Sequence, residues 1–269
     1  MSFLIYQNTV NQKRVKIYLN NLFKGGQIMK VIIAKDANEA AVKAFEVMKE
    51  YLKPGKVLGL ATGSTPLGLY KLMVEDHKAN GTSYKDIKTF NLDEYVGLPI
   101  EHPESYYAFM HRNLFDLIDI PEENTHVPCG LGDDLDAKCA EYDKMIDECP
   151  VDIQLLGIGS DGHIAFNEPG TPFDAPTHVC DLQESTIKDN SRFFDGDMSK
   201  VPTQACTQGI GTIMKAKAIL LIATGANKQD AVKGMIEGEI DVNCPASILQ
   251  KHDDVTIVLD EAAAAKLSK

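Results

Sequence analysis

The segment Gly157 to Glu168, Gly-Ile-Gly-Ser-Asp-Gly-His-Ile-Ala-Phe-Asn-Glu, sets two carboxylates and one imidazole directly behind the apolar run Val151 to Ile158. The length and β-branched content of that run suit a buried strand. Gly157, Gly159 and Gly162 permit a turn that residues with a Cβ resist, so Asp161 and His163 can be presented together at the strand's end. Asp161 and Glu168 lie close enough in sequence to fix the tautomer and orientation of His163, the usual work of a carboxylate beside a catalytic imidazole. An Asp-Gly pair is also an ordinary tight turn. Two carboxylates and one His could instead ligate a divalent ion, but no spacing matches a zinc motif and no second His is near, so no metal is expected.

Three further segments begin where an apolar run ends. Ala61-Thr62-Gly63-Ser64-Thr65-Pro66 offers Gly63 for close backbone approach, the hydroxyls of Ser64 and Thr65, and Pro66 in the first turn of a helix. That combination suits a phosphate held by free N–H groups, although a capping turn looks the same. It is neither a Walker loop nor a dinucleotide fingerprint. Asn91-Leu92-Asp93-Glu94-Tyr95 places Asp93 at a strand's end among apolar and aromatic residues, where desolvation would make its carboxylate a better proton acceptor; a turn or helix-cap Asp is the alternative. Ala223-Thr224-Gly225-Ala226-Asn227-Lys228 brings Lys228 to another helix start, as a compact charge for a phosphate or as a solvated surface Lys. Arg192, followed by Phe193 and Phe194, suits clamping a phosphate or a structural ion pair.

The elements that must position these residues alternate along the chain. Strands are expected at Met29–Ala34, Val57–Ala61, Ile87–Leu92, Val151–Ile158, Lys217–Ala223 and Val255–Leu259. Helices are expected after a capping-box-like start at Asp36 and Glu39, with the apolar face Ala37, Ala41, Phe45, Met48 and Leu52, and then over 66–79, 104–118, 133–148, 202–216 and 227–237. Repeated βα units with apolar strands predict an α/β fold: a Rossmann-like, mostly parallel sheet with helices on both faces, binding ligands beyond the carboxyl ends of its strands. All four loops would then meet at one edge. Residues 170–203 show no sustained period and read as a lid.

Composition narrows the partners. The 269 residues are 44% hydrophobic and 25% charged, enough for a sizeable core, and no Pro/Ser-rich linker divides them. A net charge of -12 opposes binding to nucleic acid and to anionic membranes. The longest apolar runs fall far short of the roughly 20 residues that span a bilayer. Six cysteines form no CxxC and no secretory signal precedes them, so they read as reduced thiols of a cytoplasmic protein. A sugar-phosphate sensor that acts on DNA would need a binding module, and residues 1–28 are too few for one.

Together, the quoted segments with His102-Pro103-Glu104-Ser105-Tyr106-Tyr107, the Pro169 that follows Glu168, and Asn190-Ser191-Arg192-Phe193-Phe194 closely resemble the glucosamine-6-phosphate deaminase family, from Met29 to near the C-terminus. The 6-phosphogluconolactonases share its Asp-Gly-His element. The resemblance implies the NagB/RpiA/CoA-transferase-like form of the fold. It also implies conversion of glucosamine 6-phosphate and water into fructose 6-phosphate and ammonia, with no metal or organic cofactor. By the same resemblance His163 promotes ring opening, oriented by Asp161 and Glu168; Asp93 takes the C2 proton; and Gly63, Ser64, Thr65, Lys228 and Arg192 hold the phosphate. Hexameric, allosterically activated members carry basic residues shortly after the Asn-Glu-Pro element, whereas Gly170 to Asp181 contains no Lys or Arg. A non-allosteric monomer or small homo-oligomer is therefore expected.

Residues 1–28 are polar and rich in Asn, Gln and Lys, apart from Phe3 to Tyr6. Lys24-Gly25-Gly26 back-translates to a purine-rich stretch compatible with a ribosome-binding site shortly before Met29. The reading is an extension at 1–28 followed by one domain at 29–269, with translation beginning naturally at Met29. Intact-mass analysis of the protein from its native source is expected to show a chain starting at or just after Met29; a mass that includes residues 1–28 contradicts this.

Overall fold

The computed structural model describes residues 3–5, 16–20 and 28–268. The first strands are β1 (Phe3–Ile5), β2 (Lys16–Asn20) and β3 (Ile28–Ala34), followed by α1 (Ala37–Met48), β4 (Val57–Leu60) and α2 (Leu67–Asn80). Next come β5 (Lys88–Asn91), β6 (Asp93–Tyr95), α3 (Tyr106–Asn113), β7 (Thr125–His126), α4 (Leu135–Glu148) and β8 (Ile153–Leu156). The chain continues with β9 (His178–Asp181), α5 (Glu184–Asn190), β10 (Gln204–Thr207) and α6 (Ile210–Ile213). It closes with β11 (Ile219–Ala223), α7 (Gln229–Glu237) and β12 (Asp254–Asp260).

The main sheet runs β1-β2-β3-β12-β11-β8-β4-β5-β7, and from β3 to β7 every pairing is parallel. β2 joins β3 antiparallel, setting Lys16–Asn20 beside Met29–Ile33. Every residue of β4, β8 and β11 is buried. Successive side chains of a strand point to opposite faces, so both faces of the sheet are covered. The Rossmann-like reading thus holds, with the core formed around strands such as Ile153, Leu155, Leu220, Ile257 and Val258. Fully burying each such side chain stabilises the fold by about 1.5–3 kcal/mol.

At the amino ends of three adjacent strands, buried Asp152 accepts from Val57 N at 3.0 Å and from the ammonium groups of Lys56 at 3.0 Å and Lys217 at 2.9 Å. Burial alone would raise this carboxyl; the Lys217, Val57 and Lys56 donors outweigh it and hold the group below its usual range. β4, β8 and β11 are thereby registered at one end, which fixes where their loops leave at the other. The chain steps from β4 outward to β5 and β7, then returns to β8 on the far side of β4. The loops after β4 and β8 consequently diverge and open a crevice at the topological switch point.

Four local expectations differ. The stretch 202–216 is not one helix: Gln204–Thr207 is a strand between β6 and β9 in a second, three-stranded antiparallel sheet, and only Ile210–Ile213 is helical. The segment 170–203 contains β9 and α5, because its short strand finds partners only in tertiary structure. α3 begins at the Ser105 cap, whose hydroxyl accepts from Ala108 N, and stops at Asn113, short of Ile118. In α1 the Asp36 carboxylate caps Glu39 N at 3.0 Å as expected, but Ala37 is exposed and Ala40 and Ala44 take its place in the core.

Candidate active site

One cleft at the carboxyl edge of the sheet is lined by Ala61 to Thr65, Asp93, Gly157 to Ser160, His163, Arg192 and Lys228. All four loops therefore meet, as their positions after parallel strands require. Gly63 adopts φ +88°, a left-handed conformation that a Cβ disfavours, and this turns the backbone of Ser64 and Thr65 into the cleft. Pro66 ends the turn in helical geometry as the cap of α2. The early N–H groups of α2 lack intrahelical partners and give this end a partial positive charge.

Lys228 reaches the cleft from the cap of α7. Its loop is held from below by the Asp260 carboxylate, which accepts from Gly225 N at 3.0 Å and Ala263 N at 2.7 Å. Burial lowers the Lys228 ammonium from its ordinary value, with Asp189 and Asp161 opposing. Arg192 stacks over the Phe193 ring at 4.7 Å, whereas Phe194 turns away and packs edge-on against Tyr95. Gly63, Ser64, Thr65, Lys228 and Arg192 thus share one cleft, and that set can hold a phosphate through backbone donors and two cations.

Asp93 opens β6 and is 6% exposed. Burial raises its carboxyl to about 7 and the neighbouring Glu94 carboxylate adds to this, against a Thr62 hydrogen bond and His163, which favour the anion. A carboxylate with that value accepts protons near neutral pH without being permanently protonated. Glu94 has a separate task. Its buried carboxylate accepts from Tyr95 N at 2.8 Å, Tyr106 N at 3.0 Å and Tyr107 N at 2.9 Å, so it anchors the first turn of α3; burial raises this carboxyl too, and the three N–H donors oppose the rise.

His163 stands on the cleft wall, with Asp161 and Glu168 behind it. Asp161 Oδ1 lies 2.8 Å from His163 Nδ1, Glu168 Oε2 lies 3.4 Å from the same atom, and His163 N donates to Asp161 Oδ1 at 3.2 Å. Neither side-chain contact is aligned as a hydrogen bond; both are close ion pairs. Burial would discharge the ring, yet Asp161 and Glu168 outweigh it and raise the imidazole to about 9. In return the imidazolium holds Asp161 at about 2 despite its own burial. Ligand atoms of Asp161, His163 and Glu168 all lie within 4.8 Å, compact enough for a cation. In its charged form the ring has no free lone pair and pairs with both carboxylates instead.

Thr62, Glu94 and Tyr106 belong to the site but were not singled out from sequence. All three lie inside distinctive segments, Thr62 in Ala61–Pro66, Glu94 in Asn91–Tyr95 and Tyr106 in His102–Tyr107. Glu94 and Tyr106 gave no separate signal, because their roles depend on a contact between β6 and α3.

The chain matches the family model of glucosamine-6-phosphate isomerases and 6-phosphogluconolactonases over residues 32–258. It belongs to that family. A glucosamine-6-phosphate deaminase of Enterococcus faecalis is 52% identical over 240 residues, covering 89% of this chain and 100% of that protein. The deaminase of Halalkalibacterium halodurans is 47% identical over 243 residues, 89% of this chain and 98% of its own. A solved structure described as a monomeric glucosamine-6-phosphate deaminase of the NagB superfamily superposes with TM-score 0.86 at 42% identity, over 88% of this chain and 100% of the other. A 6-phosphogluconolactonase from Trypanosoma cruzi shares the fold at TM-score 0.71 and 23% identity.

Gly159 tests the ion-pair geometry. A Cβ there would fall 2.4 Å from His163 Nδ1 and 2.6 Å from Asp161 Oδ1. Gly159→Ala is expected to displace the imidazole and lower kcat roughly 100-fold, the order of loss for a misplacement near 1 Å. Circular dichroism and steady-state kinetics check this; a folded variant with wild-type kcat contradicts it.

Proposed function

We propose that this protein is a cytoplasmic glucosamine-6-phosphate deaminase of amino-sugar catabolism. It converts glucosamine 6-phosphate and water into fructose 6-phosphate and ammonia by isomerisation and hydrolysis of a C–N bond. The observation that carries this reading is one cleft holding a buried carboxylate raised to about 7, an imidazolium raised to about 9 and an anion cradle. The high-identity relatives named for this reaction support it. Among the described residues no helix is long and apolar enough to cross a membrane.

The backbone of Gly63, Ser64 and Thr65, with Lys228 and Arg192, holds the phosphate and brings the sugar's reacting carbons to the base. His163 gives a proton to the ring oxygen as the C1–O5 bond breaks and is recharged by the proton leaving O1. Asp161 and Glu168 stabilise its charge. The open chain presents a C1 aldehyde that acidifies C2–H, and Asp93 removes that proton. Reprotonation at C1 gives a ketimine, and addition of water at C2 releases ammonia. No organic cofactor or metal enters this sequence. A positioned base contributes about 10² to 10⁴-fold.

The pH dependence follows from the two groups. Asp93 must be ionised, so activity rises as pH passes about 7, and His163 must be charged, so it falls as pH passes about 9. The kcat/KM profile is expected to be a bell between these limits. Asp93→Asn is expected to abolish ammonia release by roughly 10² to 10⁴-fold, while EDTA leaves the wild type unchanged. Coupled detection of both products checks this. A folded wild type that releases no ammonia contradicts the reading, and loss of activity in EDTA contradicts the metal-free mechanism.

The chain is also proposed to act without allosteric activation, as a monomer or small homo-oligomer. The basic residues of activated family members have no counterpart in Gly170 to Asp181, and one similar solved structure is described as monomeric. Rate curves are expected to be hyperbolic and indifferent to N-acetylglucosamine 6-phosphate; a sigmoidal curve relieved by that compound contradicts this.

A further inference from the structure

The two oxygens of Glu168 have different surroundings. Oε1 accepts from Thr186 Oγ1 at 2.6 Å, and both residues are buried. Oε2 lies 3.4 Å from His163 Nδ1 and has no hydrogen-bond partner of its own. The orientation of the carboxylate is therefore fixed from one side only. A carboxylate turns freely about its last bond, and the side chain of Glu loses substantial rotamer freedom when held. The Thr186 hydroxyl is the group that offsets that loss.

Thr186 belongs to α5, whose cleft-facing residues also include Asp189 and Asn190, with Arg192 just beyond its end. Asn190 donates to Tyr95 Oη at 3.0 Å, and Tyr95 closes the strand that Asp93 opens. One short helix therefore touches the phosphate cation, the base strand and the carboxylate behind the imidazole.

We propose that Thr186 is a positioning residue: its hydroxyl holds Glu168 Oε2 against the His163 imidazole, so that seating of α5 and pairing of the imidazole are a single contact. This rests on the deaminase reading for its link to turnover, but the contact itself exists in the resting protein.

The charges facing His163 are Asp161 on its own loop, Glu168 behind it and Asp93 across the cleft on β6. Lys228 and the Cys244 thiol border Asp161 and Gly162 from α7 and the segment after it. Only Glu168 is tied to α5. Thr186→Val keeps the side chain's shape and removes the donor. Glu168 is then free to turn away toward cleft water, and His163 faces one anion fewer.

NMR titration of the His163 ring in the resting protein reads this without turnover. In Thr186→Val the midpoint is expected to fall by roughly one pH unit, the lower end of what one opposite charge contributes. The alkaline limb of kcat should move down with it, so that kcat falls about twofold at pH 8 and nearly tenfold at pH 10, while KM changes less than kcat. Thr186→Ser, which retains the hydroxyl, is expected to titrate and turn over as wild type. A folded Val variant whose His163 midpoint stays in place, or a Ser variant that shifts as Val would, overturns the proposal; the Ser arm decides alone if Val does not fold. A shifted midpoint in a protein that releases no ammonia would keep the positioning role and reject the deaminase reading.

Discussion

The site depends on burying a carboxyl where a charge is unwelcome. Asp93 follows β5 after the single residue Leu92, so its neighbours are the packed interior of the sheet on one side and Glu94 on the other. Desolvation and the adjacent anion both favour its protonated form, and only the Thr62 hydroxyl and the His163 charge pull the other way. The balance leaves it able to take a proton and to give it back. Burial also raises Glu94, but three backbone N–H groups that it accepts oppose the rise, and those from Tyr106 and Tyr107 anchor α3. Two adjacent carboxyls thereby differ: Glu94 is met by three backbone donors, whereas Asp93 is met by the Thr62 hydroxyl and the His163 charge.

His163 is the complementary case. Its burial would remove its proton, yet Asp161 and Glu168 supply enough negative charge to keep it. The two halves of the site are thus a carboxyl pushed toward neutrality and an imidazole held charged, on opposite walls of one cleft. They meet because β5 and β8 lie on either side of β4, and because Asp152 fixes the register of β4, β8 and β11 from the opposite end. Removing a donor from that buried carboxylate would loosen the strand ends before it touched any catalytic group.

Much of this was legible in the sequence because strand-to-loop boundaries carry strong local signals. Gly63 and the glycines of Gly157 to Gly162 mark turns, the apolar runs before them mark strands, and parallel topology then forces their loops to one edge. Asp93, Asp161, His163 and Glu168 were reachable this way, as were Gly63, Ser64, Thr65 and Lys228; Arg192 lies beyond α5 and stood out only through the two aromatics that follow it. What stayed hidden depends on partners distant in the chain. The sheet of β6, β10 and β9 consists of short strands joined only by tertiary pairing, so Gln204–Thr207 read as part of a helix. The contact of Thr186 with Glu168 spans a stretch without periodicity, and the anchoring of α3 by Glu94 leaves no trace in local composition.

The central claim is that the fold itself tunes Asp93 into a base. A 13C NMR titration of the Asp93 carboxyl in the folded, unliganded protein measures that directly. A midpoint near 7, shifting down in Glu94→Gln as the second negative charge is removed, is the predicted result. A midpoint in the ordinary aspartate range near 4 would contradict the account, since a carboxyl of that value is a poor base for C2–H whatever its position.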